Sequence, residues 1–302
     1  MENCQDFKKE IENKLGGLIN SNYCLLDVPD HDNLGDHIIT QGEFDFLKNN
    51  KFNMKYCCPY NSFDEKMVDK QDLILLQGGG NFGDLWFVHQ IFREKIIQTF
   101  KNNKIIILPQ SVYFKNKENL EKSIKIFSEH KNLTICARDI KSFEFLKKYF
   151  VDNKILLVPD MAFYLDVPQI QPKKEIKRIL FINRTDKELK ENINLDFINN
   201  VEIHDWPTIE SPPKFTHKFE NRDFYVKEGV SFLSNYDLII SNRLHGSILA
   251  TILGIPNILL DNSYNKSKNF YNTWMEDISH CNFAENLEEL KTILREKYRI
   301  GY

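Results

Sequence analysis

The chain has 302 residues, 42% of them hydrophobic and 27% charged, with 40 basic against 43 acidic side chains and a formal charge of −3. This excludes an intrinsically disordered chain and suffices for one large domain or two of ordinary size. The balanced charge, without a basic tract, excludes nucleic acid as an expected partner, and no apolar run approaches the roughly 18 residues of a membrane span.

From the N-terminus, Met1 to Leu15 is polar and charged where a signal peptide would be apolar, so a cytoplasmic protein is expected. Short runs that are apolar on both faces then alternate with segments of helical period, the pattern of buried parallel strands and their crossover helices. Strands are predicted at Tyr23 to Val28, Met54 to Cys58, Leu73 to Gln77, Ile105 to Leu108, Leu133 to Ala137 and Ile155 to Val158. Helices are predicted at Asp36 to Lys48, Leu85 to Lys101, Lys117 to His130 and Asp139 to Phe150. Pro168 to Pro172, followed by Lys173, Lys174 and Glu175, reads as a linker, which places a domain boundary after residue 170. The alternation restarts with strands at Arg178 to Ile182, Val201 to His204, Asp237 to Ser241 and Asn257 to Leu260. Helices Asp223 to Leu233, Gly246 to Leu253 and Leu287 to Tyr298 complete it, the last with an apolar face that is expected to pack back on the first domain. The expectation is an α/β protein with two Rossmann-like, doubly wound parallel-sheet domains, residues 1–170 and 171–302, facing a cleft at the carboxyl ends of their strands. The six cysteines show no CxxC spacing and read as reduced thiols, the adjacent Cys57 and Cys58 as strand residues.

If ligands bind at strand ends, the segments that follow the strands carry the chemistry. Asp30-His31-Asp32-Asn33-Leu34-Gly35-Asp36-His37 is dense in metal-binding and proton-moving groups, but no second cluster offers matching ligands. A turn capped at Asp36 is the bland reading, and contact of Asp36 or His37 with sugar hydroxyls the functional one. In Gln77-Gly78-Gly79-Gly80-Asn81-Phe82-Gly83-Asp84 the glycines bring amides close to an anion, and Asp84 stands to cap the next helix; a simple chain reversal is the alternative. Arg138 and Arg184 each stand where a strand gives way to its loop, as anion ligands or as rim salt bridges. In Ser241-Asn242-Arg243-Leu244-His245-Gly246-Ser247 a buried strand runs straight into a helix whose first turn carries an arginine and a histidine. The helix dipole and both cationic donors favour an anion at that point.

This set resembles the polysaccharide pyruvyl transferases. The resemblance lies in Asn33-Leu34-Gly35-Asp36, in Gly78 to Trp86, in Pro109-Gln110-Ser111, in Arg138-Asp139 with Ser142, in Pro159-Asp160 and in Ser241 to Gly246. It implies a two-domain glycosyltransferase-B fold and transfer of a pyruvyl group from phosphoenolpyruvate to two hydroxyls of a sugar, in exopolysaccharide or capsule synthesis. It also implies that Arg243, Leu244 and His245 bind phosphoenolpyruvate, with Arg138 as a further arginine; Arg184 and Ser247 complete the expected donor side. Two arginines and amide-rich turns neutralise a carboxylate and a phosphate without a metal or cofactor, so none is expected. His245 is the expected proton donor, with Asp36, Asp84 and Asp160 as carboxylates able to take a hydroxyl proton. Asn33, His37, Gly79, Gly80 and Asn81 are assigned to the acceptor side or its loop.

The chain is compact for that family, and Asp205 to Lys218, with Trp206, Pro207, Pro212 and Pro213, matches no motif. That segment, with Trp86 and Trp274, is read either as sugar-stacking surface or as core. The acceptor is expected to be lipid-linked or nucleotide-linked, which implies transient association with the inner membrane face. Two other readings compete: a glycosyltransferase of the same fold using a nucleotide sugar, with Asp261 or Glu276 as ribose ligand, and a non-catalytic sugar-binding subunit.

Overall fold

Tyr23–Leu26 (β1) is buried at all four positions, which only a strand covered on both faces achieves, and it lies between two parallel neighbours, Met54–Cys58 (β2) and Leu73–Leu76 (β3). A computed structural model describes residues 4–171, 175–185, 190, 193–206, 217–262 and 265–300 of the chain. After β3 the backbone continues into Gly79–Gly83 (β4), which pairs with the long strand Ile105–Tyr113 (β5) beyond the point where β3 ends. Leu133–Ala137 (β6) and Lys154–Leu157 (β7) complete this sheet in the order β2-β1-β3-β5-β6-β7, all parallel. The crossovers are helices Leu34–Asn49 (α2), Phe87–Thr99 (α3), Lys117–Ser128 (α4) and Ile140–Tyr149 (α5), preceded in the chain by Cys4–Leu15 (α1).

A second parallel sheet contains Ile179–Ile182 (β8), Val201–His204 (β9), Leu238–Ser241 (β10), Asn257–Leu260 (β11) and Cys281–Ala284 (β12), ordered β12-β11-β10-β8-β9. Helices Arg222–Leu233 (α6), Leu244–Leu253 (α7), Lys266–Phe270 (α8) and Leu287–Tyr298 (α9) belong to it, with a π turn at Tyr271–Met275 after α8. In each sheet the first strand lies between the second and the third, so the direction of winding reverses on either side of β1 and of β8. Such reversal points open a crevice at the carboxyl ends of the strands, and here both crevices face one cavity.

One hydrophobic core is continuous across both sheets. It joins Phe7 and Ile11 of α1, Ile38 and Phe46 of α2, Ile248 and Leu249 of α7, and Trp274. The acidic run before α2 ties the same seam: Asp32 accepts from Lys218 Nζ at 2.5 Å and from the Tyr225 hydroxyl at 2.7 Å, and Asp30 accepts from the Lys218 amide at 2.8 Å.

Several expectations need correction. Gly79–Gly83 is a strand, not a turn, because β5 runs past Leu108 to Tyr113 and supplies it with a partner. The helix expected at Leu85 begins at Phe87 with no side-chain cap. The last helix, α9, does not return to the first sheet: Leu290 and Leu294 lie in the core of the second, with Leu238 and Ile258. The segment that crosses instead is α8 with its π turn, through Trp274 Nε1–H on the Arg138 carbonyl at 2.7 Å and Thr273 Oγ1 on the Ile140 amide at 3.1 Å. Of the expected linker, Pro172, Lys173 and Lys174 lie outside the described residues, as do Pro207, Pro212 and Pro213.

Candidate active site

The cavity where the strand ends meet has a volume of about 610 Å³. Its wall from the first sheet carries Asn33, Gly35 and Asp36 at the start of α2, Gly78, Gly80 and Asn81 along β3 and β4, Trp86 and His89 before and in α3, and Arg138 after β6. Its wall from the second carries Arg184 after β8, Asp205 and Trp206 after β9, Arg243, Leu244 and His245 at the start of α7, and Asn262 and Lys266 after β11. Arg138, Arg184, Arg243, His245 and Lys266 therefore reach one space from four different segments, while Asp36 and Trp86 stand on the first wall.

Arg138 is 3% exposed, and its guanidinium is fixed on two sides: Nε donates to Ser111 Oγ at 2.9 Å and Nη1 to Asp160 Oδ2 at 2.7 Å. His245 Nε2 lies 3.4 Å from the same Asp160 oxygen and 3.4 Å from Arg138 Nη1. This histidine fits because residue 35 is glycine: a Cβ there would stand 2.9 Å from His245 Nδ1. Gly80 does the same for Arg138, since a Cβ would stand 2.9 Å from Nη2 and 3.6 Å from Lys266 Nζ. Burial works against ionisation of Asp160, yet the His245 hydrogen bond and the Arg138 charge hold its carboxyl well below the usual range. Asp160 is thus a fixed anion that orients Arg138 and His245. Asp160 stands behind the cavity wall rather than on it, and its other oxygen accepts from the Ala162 amide at 2.8 Å.

Arg243 is held differently. Its Nε and Nη2 both donate to the carboxylate of Asp205, the latter at 2.7 Å, in a side-on fork across the end of β8. Its backbone is set by Ser241, whose Oγ accepts from the Arg243 amide at 3.0 Å and donates to the Arg243 carbonyl at 2.8 Å. Arg184 stands beside it, its amide held by Asn242 Oδ1 at 2.7 Å. Lys266 donates from Nζ to the Gly80 carbonyl at 3.2 Å, linking α8 to the glycine strand. Asp36 lines the cavity and accepts from Asn33 Nδ2 at 2.8 Å, while Asn33 Oδ1 caps α2 through the Gly35 amide.

Four expected site residues lie elsewhere. Asp84 is outside the cavity and holds the loop after β5, accepting from the Lys115 and Asn116 amides at 2.7 Å each. His37 is fully buried, bonded through Nε2 to the His31 carbonyl at 2.7 Å and stacked on Tyr225 at 4.0 Å. Burial lowers its pKa to about 4, as suits a neutral packing histidine. Ser247 turns away from the cavity and donates to Asn257 Oδ1 on β11. Gly79 does not line the cavity but pairs with Gln110. Trp274, 8% exposed, is core, whereas Trp86, 39% exposed, and Trp206 line the cavity.

The sequence reading missed Lys266, His89 and Asn262 as cavity residues, and named Asp205 only within a segment read as sugar-stacking surface or core. The three missed residues follow or neighbour strand ends, the one signal that marked them; His89 is further fixed by Asp27, at 2.8 Å from its Nδ1. Among the described residues no three His, Cys, Asp or Glu side chains converge as metal ligands, and no helix is long and apolar enough to cross a membrane.

The polysaccharide pyruvyl transferase family model matches residues 33–264, a span that takes in every cavity residue except Pro29, His31, Asp32 and Lys266. The chain is 36% identical to "Putative pyruvyl transferase EpsO" of Bacillus subtilis (strain 168), over 92% of this chain and 96% of that protein. It is 30% identical to "Pyruvyl transferase 1" of Schizosaccharomyces pombe (strain 972 / ATCC 24843), over 92% of this chain and 76% of that protein. The crystal structure of the uncharacterized protein KP1_0663 from Klebsiella pneumoniae subsp. pneumoniae NTUH-K2044 has the same fold, with a TM-score of 0.68 at 21% identity over 93% of this chain and 99% of its own. By family model and by relatives alike, the chain belongs to the polysaccharide pyruvyl transferase family.

Proposed function

We propose that the protein transfers the pyruvyl group of phosphoenolpyruvate to two hydroxyls of a sugar, making a cyclic ketal during synthesis of a cell-surface polysaccharide. The observation that carries this reading is the convergence of Arg138, Arg184, Arg243, His245 and Lys266 on one cavity. Phosphoenolpyruvate presents a carboxylate and a phosphate on one carbon centre, a charge density that such a set neutralises without a cofactor. The sheet that contributes most of those cations is the donor side, residues 171–302. The sheet with Asp36 and Trp86 is the acceptor side, residues 1–170, in a two-domain arrangement of the glycosyltransferase-B kind.

In this reading His245 gives a proton to the methylene carbon, which becomes the methyl group, and the former enol carbon gains oxocarbenium character. A sugar hydroxyl adds to that carbon, the bond to the phosphate oxygen breaks, and the second hydroxyl closes the ring. Asp36, the carboxylate of the three expected ones that lines the cavity, takes up hydroxyl protons. Of the two protons released, one balances that given to the methyl group and the other leaves on inorganic phosphate. Leu244, 8% exposed, shapes the wall. A lipid-linked or nucleotide-linked acceptor, met at the cytoplasmic face of the membrane, completes the proposal.

Calorimetric titration with phosphoenolpyruvate, and separately with nucleotide sugars, tests it. Saturable binding of phosphoenolpyruvate, lost in Arg243→Ala, is the expected result; binding of a nucleotide sugar alone would make the protein a glycosyltransferase.

A further inference from the structure

Ser111, Asp139 and Ser142 take no part in the reaction above, yet they form one hydrogen-bonded chain that ends on Arg138. Asp139 caps α5: its Oδ1 accepts from the Ser142 amide at 2.8 Å. Its Oδ2 accepts from two hydroxyls, Ser142 Oγ at 2.9 Å and Ser111 Oγ at 2.6 Å. Ser142 Oγ accepts in turn from the Val112 amide at 2.9 Å, which ties the cap to β5. With its proton committed to Asp139, Ser111 can meet Arg138 Nε only with a lone pair, and the 2.9 Å contact is of that kind. Donation in the chain therefore runs one way, from guanidinium to hydroxyl to carboxylate. Asp160 closes the other side at Nη1, and Nη2 lies beside Gly80. Ser111, Asp139 and Arg138 are each at most 3% exposed, so water is a poor substitute for any member.

We propose that Ser111 and Asp139 are positioning residues that aim Arg138, so that it meets an anionic donor with its Nη2 end, and that Gly80 is the clearance this pose requires. The inference rests on the phosphoenolpyruvate reading above. An arginine held at Nε and Nη1 cannot swing aside, which is why the 2.9 Å approach at Gly80 matters although its far partner is a long side chain. Asparagine caps a helix as well as aspartate does. At residue 139, however, it would present N–H groups to Ser111 where an acceptor now stands, and so turn the hydroxyl proton toward Arg138.

The test is calorimetric titration of the full chain with phosphoenolpyruvate, beside thermal melting, for wild type, Asp139→Asn, Ser111→Ala, Ser111→Thr and Gly80→Ala. Asp139→Asn is expected to lower the melting temperature by several degrees and to raise the Kd about tenfold, the effect of disturbing a bond to a charged group. Ser111→Ala should match it, Ser111→Thr should restore affinity to within about threefold, and Gly80→Ala should weaken binding most. Wild-type affinity in Asp139→Asn and Ser111→Ala, with Arg243→Ala still unable to bind, would overturn the inference and leave the reaction standing. A fall in melting temperature with unchanged Kd would also overturn it, by making the chain merely structural. A wild type that does not bind phosphoenolpyruvate would overturn the reaction itself and this inference with it.

Discussion

Arg138 and Arg243 face the same cavity from opposite sheets, and the two are anchored by different physics. Arg138, with a side chain 4% exposed, pairs with Asp160, 1% exposed, beneath the ends of the first sheet. Arg243, 15% exposed, pairs with Asp205, 28% exposed, just past the edge strand of the second. A buried ion pair adds little net stability, but removing one partner strands the other in a medium that cannot solvate it; a pair at the rim is released to water at small cost. The first arginine is therefore part of the fold as well as of the site, whereas the second can be altered with the fold intact.

Substitution separates the two. Arg138→Ala should lower unfolding free energy by about 3–5 kcal/mol, because buried Asp160 loses its arginine and keeps only the Ala162 amide and His245; urea denaturation measures this. The pH dependence of Glu43 sharpens the same contrast from beneath the first wall. This carboxyl is fully buried and accepts from the Gly78 amide at 2.8 Å, and burial raises its pKa from 4.5 to about 8. A raised pKa means the folded state binds the proton more tightly, so this stability is complete below about pH 4.5 and is lost as pH rises through about 8. Glu43→Gln should therefore gain on wild type by on the order of 2–4 kcal/mol between pH 5 and pH 9, read from unfolding curves at each pH. Arg243→Ala should cost less than about 1 kcal/mol of stability yet weaken phosphoenolpyruvate binding at least tenfold. Asp84→Asn should change stability by only about 1 kcal/mol and leave the Kd as in wild type, since that carboxylate holds two loop amides and Asn119 of α4 away from the cavity.

The strands were legible because parallel strands covered on both faces must be continuously apolar, as Leu73 to Leu76 and Leu238 to Ile240 are. β4 was not, because a strand of Gly79, Gly80, Asn81, Phe82 and Gly83 carries no such pattern; its pairing depends on β5 continuing through Pro109, Gln110 and Ser111. α1 hides its apolar spacing of Phe7, Ile11 and Leu15 among charged residues. In the candidate site, the turn Ser241 to His245 announces itself because strand, arginine, histidine and helix are adjacent in the chain. Lys266 stands one strand further on and reaches Gly80 only through the fold. Asp84 and Asp160 look alike in sequence as acids after strands, and only their partners, loop amides for one and Arg138 with His245 for the other, assign them different work.

The core shared between the sheets has a mechanical consequence. Helix α2 packs its apolar residues into a cluster that also contains α7, α1 and Trp274, so the two sheets share packed side chains rather than meeting only along the chain between them. Parting the sheets to widen the cleft would expose that cluster to water at roughly 25 cal/mol for each Å² uncovered, more than weak ligand binding can supply over any large opening. The cavity is therefore set in a shared frame, and its size is fixed by the same packing that holds the fold together.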